Sequence, residues 1–277
     1  MRIVSSVKQI LHDPLVYHDP LGAYYERMAR WQERNEDALP VPRYSITNDW
    51  RQKLEVSNDD LEKIAHLSLS VNATLSSRAI RPGPESYLYW NDGDPAFLQA
   101  IWCLVRRLGA NKIVETGVAH GVTSRIILEA LRGSGHLWSI DLPPRWAPEI
   151  HWQIGAAVGN CPSEQWSLIF GHSRRRLPKL LKSIAPIDLF VHDSHHSRYN
   201  MLFEMAQGWR ALRPGGAMVV DDIDLNTAFD EFEKTVVGEK LICEAQPIRA
   251  DTRRFNGKGL FGVLIKPEGT DDRHDKP

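Results

Sequence analysis

The chain has few of the residues that hold small secreted scaffolds together: three cysteines, Cys103, Cys161 and Cys243, among 277 residues. Odd in number and widely spaced, they support neither a disulfide framework nor a zinc knuckle, and a reducing compartment is the expectation. Long apolar runs are also missing. The stretch Ile150 to Ser163 is free of acidic and basic side chains but contains Asn160 and Pro162, and nothing approaches the ~20 apolar residues that a bilayer demands. Met1 to Lys8 lacks a signal-peptide apolar core, so a cytoplasmic protein with no membrane partner is expected. Nor is there an excess of one charge: 34 Lys+Arg face 35 Asp+Glu, a formal net charge of −1. That balance removes the electrostatic footprint of a nucleic-acid binder.

What is present is 42% apolar and 25% charged sequence, enough for a full core without staples. Pro and charged residues crowd Asp13 to Pro20, Asn35 to Arg43 and Arg81 to Pro84, which reads as helical segments joined by turns. Residues 1–93 are therefore expected to form an accessory region, a lid or a dimerisation arm. From Asp94 the pattern changes, because helix-spaced and strand-like apolar segments alternate through residue 267.

Pro95 to Leu108 reads as a helix with Phe97, Ile101, Leu104, Val105 and Leu108 on one stripe. Strands are expected at Lys112 to Glu115, His136 to Asp141, Trp166 to Phe170, Ile187 to His192 and Ala217 to Val220, the last preceded by a turn at Arg213-Pro214-Gly215-Gly216. Helical spacing falls at Ile126 to Leu131, at Leu202 to Leu212 and at Phe229, Phe232 and Val236. Leu241 to Ile248 and Gly259 to Ile265 read as closing strands, and Glu268 to Pro277 as a disordered tail. The expected fold class is α/β: a doubly wound, mostly parallel sheet with helices on both faces.

Such sheets bind ligands beyond the carboxyl ends of their strands. The polar residues expected there form one set: Glu115, Asp141, His172 with Ser173, Asp193, and Asp221 with Asp222. Between the first strand and its helix, Glu115-Thr116-Gly117-Val118-Ala119-His120-Gly121 carries two glycines four apart. Gly117 permits positive φ or close approach, and Gly121 opens a helix whose N–H groups favour an anion. A dinucleotide loop would place glycine where Ala119 and Val122 stand, so pyrophosphate binding is disfavoured. Asp141 is placed for a two-oxygen grip on ribose hydroxyls; alone, it could equally cap a neighbouring helix.

This motif and Asp141 resemble motif I and the following acid of class I S-adenosylmethionine-dependent methyltransferases, with a Rossmann-like sheet. The block Ile187 to His196, then Asn200 to Glu204, Leu212 to Gly216, and Asp221 to Asp224 with Asn226 resembles a bacterial subfamily. That subfamily includes macrolide-sugar O-methyltransferases and cephalosporin-hydroxylase-like proteins. The resemblance implies that Glu115, Gly117 and Gly121 hold the methionine end of S-adenosylmethionine, with Ala119 and Ser124 in the same turn, and Asp141 the ribose. It sets His172 and Ser173 beside the adenine, with His172 where the family often has Asp. It also leaves Arg198 where an aromatic residue is usual, with Tyr199 displaced by one.

Methyl transfer to a hydroxyl needs alignment and removal of a proton. His196 is the candidate base, since histidine titrates near neutrality and it matches the family's histidine; His195 is the backup. Each could instead bond a backbone carbonyl and never meet substrate. Asp193, Asp221 and Asp222 repel one another unless a cation intervenes, which invites Mg²⁺. The competing view has Asp193 contacting cofactor and Asp222 or Asp224 capping the helix near Asn226. Arg174-Arg175-Arg176 with Lys179 and Lys182 reads first as a solvated helix face and second as an attractor for an anionic acceptor. The function expected is methylation of a small-molecule hydroxyl, on a sugar or natural-product scaffold, by a chain that could form a homo-oligomer. The rivals are a hydroxylase-like relative, a nicotinamide enzyme and a non-catalytic cofactor-binding protein.

Overall fold

A computed structural model describes residues 24, 27, 28, 31, 42–80, 94–143, 148–159, 163–245 and 259–269. Helices α1 (Trp50–Lys53), α2 (Asn58–Ser77) and α3 (Pro95–Arg107) precede the first strand, β1 (Lys112–Thr116). Then follow α4 (Val122–Leu131), β2 (His136–Asp141), β3 (Trp166–Phe170), α5 (Ser173–Ile184), β4 (Ile187–His192) and α6 (Arg198–Ala211). The chain closes with β5 (Leu212–Val220), α7 (Ala228–Glu233), β6 (Glu239–Glu244) and β7 (Leu260–Ile265).

The seven strands lie in the order β3-β2-β1-β4-β5-β7-β6. Strands β1 to β5 are parallel, and β7 runs antiparallel to both β5 and β6. The strand order reverses between β1 and β4, so the crevice beyond their carboxyl ends is the ligand position of a doubly wound sheet.

Side-chain alternation on the strands sorts the core into two layers. Ile113, Leu189, Val191 and Val219 face α3 and α4, whereas Val114, Phe190, Met218 and Val220 face the layer of α5, α6 and α7. Each of these strand residues is fully buried, worth roughly 1.5–3 kcal/mol apiece for side chains of this size. Trp50, Leu54 and Ile64 from the first third of the chain sit in the α3–α4 layer. Asp94 starts α3 by accepting hydrogen bonds from the amides of Ala96 and Phe97, and a Ser57–Asp60 capping box starts α2. The free edge of β6 is covered by Thr47, whose amide donates to the Ile242 carbonyl (2.8 Å) and whose hydroxyl accepts from the Ile242 amide (3.1 Å).

Two expectations change. Arg213 to Gly216 is not a separate turn but part of β5, across a register shift opposite Ile187 and Leu189. The Gly215 amide donates to the Lys266 carbonyl and the Arg213 guanidinium to Asp188, which holds this irregular stretch at the sheet. The closing strand expected through Ile248 ends at Glu244, and residues 246–248, like 270–277 of the expected tail, lie outside the described residues.

Candidate functional site

The turn from β1 into α4 is shaped by the acid at the end of β2. Asp141 Oδ2 accepts hydrogen bonds from the amides of Val118 (3.0 Å) and Ala119 (2.9 Å). Burial raises its pKa while these amides and that of Leu142 oppose the rise. One oxygen of the acid expected to hold the ribose thus organises the turn. Gly117 has φ +85, and a Cβ there would lie 1.8 Å from the Asp193 carbonyl oxygen, so the close approach it permits brings the β1 turn onto the end of β4. Gly121, at φ +82, caps α4, and the approach it allows is to Gly155. The chain's own segment therefore fills that space, secured by bonds from the Gly155 amide to the Ala119 carbonyl and the Ala157 amide to the His120 carbonyl. Ala119 itself adopts φ +47, strain that a glycine would not carry.

Glu115 is fully buried. Its Oε2 accepts from Ser124 Oγ (2.6 Å) and Ser139 Oγ (2.7 Å), while Oε1 has no partner. Burial pushes its pKa up to about 7 against the pull of the two hydroxyls. His172 caps α5, its Nδ1 accepting from the Arg174 amide (3.3 Å). Ser173 Oγ reaches Asn200 Oδ1 at 3.4 Å.

Across β1, the ends of β4 and β5 meet because the Asp193 amide donates to the Thr116 carbonyl and the Asp221 amide to the His192 carbonyl. Asp193, His196 and Asp221 each offer one ligand atom, all within 4.8 Å of one another. Desolvation and then the neighbouring carboxylates push Asp193 and Asp221 well above the usual carboxylate range. Asp222, expected as the third ligand, stands apart from this trio; at φ +50 it turns its Oδ2 to within 3.8 Å of His196 Nδ1. Burial and Asp221 raise it to about 8.

His196 differs from expectation in its chemistry. Burial, then His192 and His195, push its pKa down to about 3, so it is a neutral imidazole and not a group titrating near pH 7. Its Nε2 is buried without a hydrogen-bond partner, 3.9 Å from Asp193 Oδ1. His195 is exposed, with its carbonyl held by Asn200 Nδ2. The capping alternative also fails in detail. Asn226 Oδ1, not Asp222 or Asp224, accepts from the amide of Ala228 at the start of α7, and Asp224 accepts from the Leu260 amide.

Two buried residues of the site were not singled out in the sequence. Glu204, fully buried on the inner face of α6, accepts through Oε2 from Thr116 Oγ1 (2.6 Å), His192 Nδ1 (2.7 Å) and Ser194 Oγ (2.9 Å). Its Oε1 accepts from Asn200 Nδ2 (3.0 Å). Although burial opposes ionisation, His192 and the hydroxyls hold its pKa down to about 2. The sequence signal was available: an acid in register with Met201 and Met205 on a buried helical stripe requires partners. His192, fully buried, presents its ring edge-on to His196 at 5.4 Å between centroids.

Residues 114–223 match the family model of a methyltransferase domain. A presumed O-methyltransferase of Mycolicibacterium vanbaalenii is 31% identical over 128 residues, 44% of this chain and 51% of that protein. One from Mycobacteroides abscessus is 29% identical over 178 residues, 61% of this chain and 79% of that protein. The chain thus spans about half the length of the first of these relatives. Among solved structures, the O-methyltransferase of Bacillus cereus in complex with S-adenosylhomocysteine superposes with a TM-score of 0.50 at 15% identity, over 76% of this chain and 91% of that one. A presumed O-methyltransferase from Klebsiella pneumoniae also gives 0.50 at 15% identity, over 79% and 95%. The fold is that of these solved O-methyltransferase structures, and the segment from Val114 to Ile223 is similar to a methyltransferase domain.

Proposed function

We propose that this protein transfers the methyl group of S-adenosylmethionine to a hydroxyl of a small molecule, with a sugar or natural-product scaffold as the acceptor class. The observation that carries this reading is the pairing of Asp141 with the Val118 and Ala119 amides, which shapes the turn beside the strand-order reversal within the matched domain. The lone Oε1 of Glu115 is the remaining acceptor in that half for the cofactor's ammonium group, and the α5 cap at His172 and Ser173 forms the adenine side. When bound, the cofactor supplies an electrophilic methyl group on a sulfonium. A C–O bond forms as the C–S bond breaks, and the hydroxyl proton must leave.

Asp193 or Asp221, where ionised and not engaged by a cation, is the proton acceptor. His196, held neutral, accepts a hydrogen bond or donates a lone pair. Asp193, His196 and Asp221 fit a divalent cation, because two mutually repelling carboxyls and an orphaned imidazole nitrogen are the groups a cation satisfies. A Mg²⁺ held by them would lower the pKa of the acceptor hydroxyl.

Titration calorimetry of the full chain with S-adenosylmethionine, S-adenosylhomocysteine and NAD, repeated in EDTA and then in Mg²⁺, tests both parts. The reading requires binding of the two sulfur ligands and not NAD. Tight NAD binding with no response to either sulfur compound overturns it, and acceptor turnover unchanged by chelator removes the metal.

A further inference from the structure

The first arginine of the Arg174-Arg175-Arg176 run does not lie on a solvated face. Its guanidinium carbon sits 3.6 Å from the centroid of the Tyr199 ring and 5.1 Å from that of Phe203, one turn along α6. Its Nε and Nη2 are shut off from solvent and have no acceptor. Among the described residues no carboxylate pairs with Arg174, whereas Arg198, at the start of α6 beside Tyr199, forks onto Glu231. Unpaired buried N–H groups on a cation are costly, and a guanidinium held over an aromatic ring is preorganised for a planar oxyanion.

Its position ties it to the site. Arg174 follows Ser173, which bonds Asn200; Asn200 Nδ2 in turn holds Ser194 Oγ and the carbonyl of His195. Tyr199, the displaced aromatic of the sequence motif, is thus the platform for this cation, in the first turn of α6 directly after the loop carrying Asp193 and His196. Asp193, at the start of that loop, and Asp221 beside it form an acidic pair that disfavours an anion there.

We propose that Arg174, laid on Tyr199, anchors an oxyanion of the acceptor, a carboxylate or phosphate monoester, so that the substrate of the methyltransferase reading above is an anionic hydroxy compound. The anion lies at Arg174 and the hydroxyl at the acid–histidine end.

The test uses the full chain loaded with S-adenosylhomocysteine and Mg²⁺, titrated calorimetrically with 3,4-dihydroxybenzoate, with its neutral methyl ester and with inorganic phosphate. The carboxylate should bind at least tenfold more tightly than the ester, and phosphate should weaken the carboxylate's binding if the pocket also takes phosphate esters, or leave it unchanged if it takes carboxylates alone. Arg174→Gln should erase the preference with unchanged ester and S-adenosylhomocysteine affinity, whereas Lys179→Gln, an exposed charge on the same helix, should leave the preference intact. Equal binding of acid and ester by the wild-type protein overturns the proposal and spares the methyltransferase reading. An Arg174→Gln variant that loses S-adenosylhomocysteine instead assigns the guanidinium to the cofactor and overturns it too. Absence of S-adenosylhomocysteine binding in the wild type fells both.

Discussion

On the β1–β2 side of the crevice the polar groups are largely satisfied by the chain: Asp141 takes two loop amides, Glu115 two serine hydroxyls, and the Gly155 segment is bonded to the turn. Across β1, at the ends of β4 and β5, Asp193, Asp221 and Asp222 are held above their ordinary pKa, and His196 Nε2 has no partner. Burial is shared by both sides, so burial is not the cause of the contrast. The first half is largely satisfied by backbone and hydroxyl donors, with Glu115 Oε1 left over, whereas in the proposed function the second is completed by a cation or an acceptor. Beneath the second half lies Glu204, whose four donors fix the strand ends.

The contrast breaks most severely at the point where the halves touch. Gly117→Ala puts a Cβ where the Asp193 carbonyl oxygen stands, and should reduce S-adenosylhomocysteine affinity by about 100-fold or more, of the order expected for an angstrom-scale misplacement; calorimetry reads this. Glu204→Ala should cost about 3–5 kcal/mol in urea unfolding, since it strands His192 and three hydroxyl or amide donors in the core. Folding lowers the Glu204 pKa from 4.5 to about 2. Its contribution is therefore complete above about pH 4.5 and is lost as pH falls through about 2, so the wild-type and Glu204→Gln stability curves should converge in acid.

The unfinished half has the opposite sign. Folding raises Asp222 from 3.8 to about 8, and Asp193 and Asp221 in the same direction. The stability these groups lend is complete below about pH 4 and is lost as pH rises through their folded values, for Asp222 about 8. In EDTA, Asp221→Asn should raise the melting temperature at pH 8 by about 2–4 °C, the shift that roughly 1 kcal/mol produces in a domain of this size. Added Mg²⁺ should stabilise the wild type at pH 8 and leave the variant unmoved. A variant that melts lower than wild type in EDTA would show that the acids are not in conflict. Smallest is the α5 cap: His172→Ala should cost about 1 kcal/mol with little change in the Mg²⁺ response.

The sheet was legible because its central strands are short apolar runs bounded by polar ends, and β2, β3 and β4 fall on the residues expected. The start of β5 was not, because Pro214 and Gly215 signal a turn locally, and only the distant Lys266 and Asp188 draw them into the sheet. In the site, the acids at strand ends could be read from topology. Asp141's role in the turn, the low pKa of His196 and the separation of Asp222 from the trio depend on φ angles and burial that no local pattern encodes. Tyr199 and Arg174 could be named but not joined, since 25 residues separate them in the chain.

The most direct measurement is a crystal structure of the protein soaked with S-adenosylhomocysteine. The account requires the ligand in the crevice outside β1 and β2, its ribose at Asp141 and its amino-acid end at Glu115 and Gly117. An empty crevice, or the nucleoside bound elsewhere with Asp141 touching only the loop amides, would contradict it.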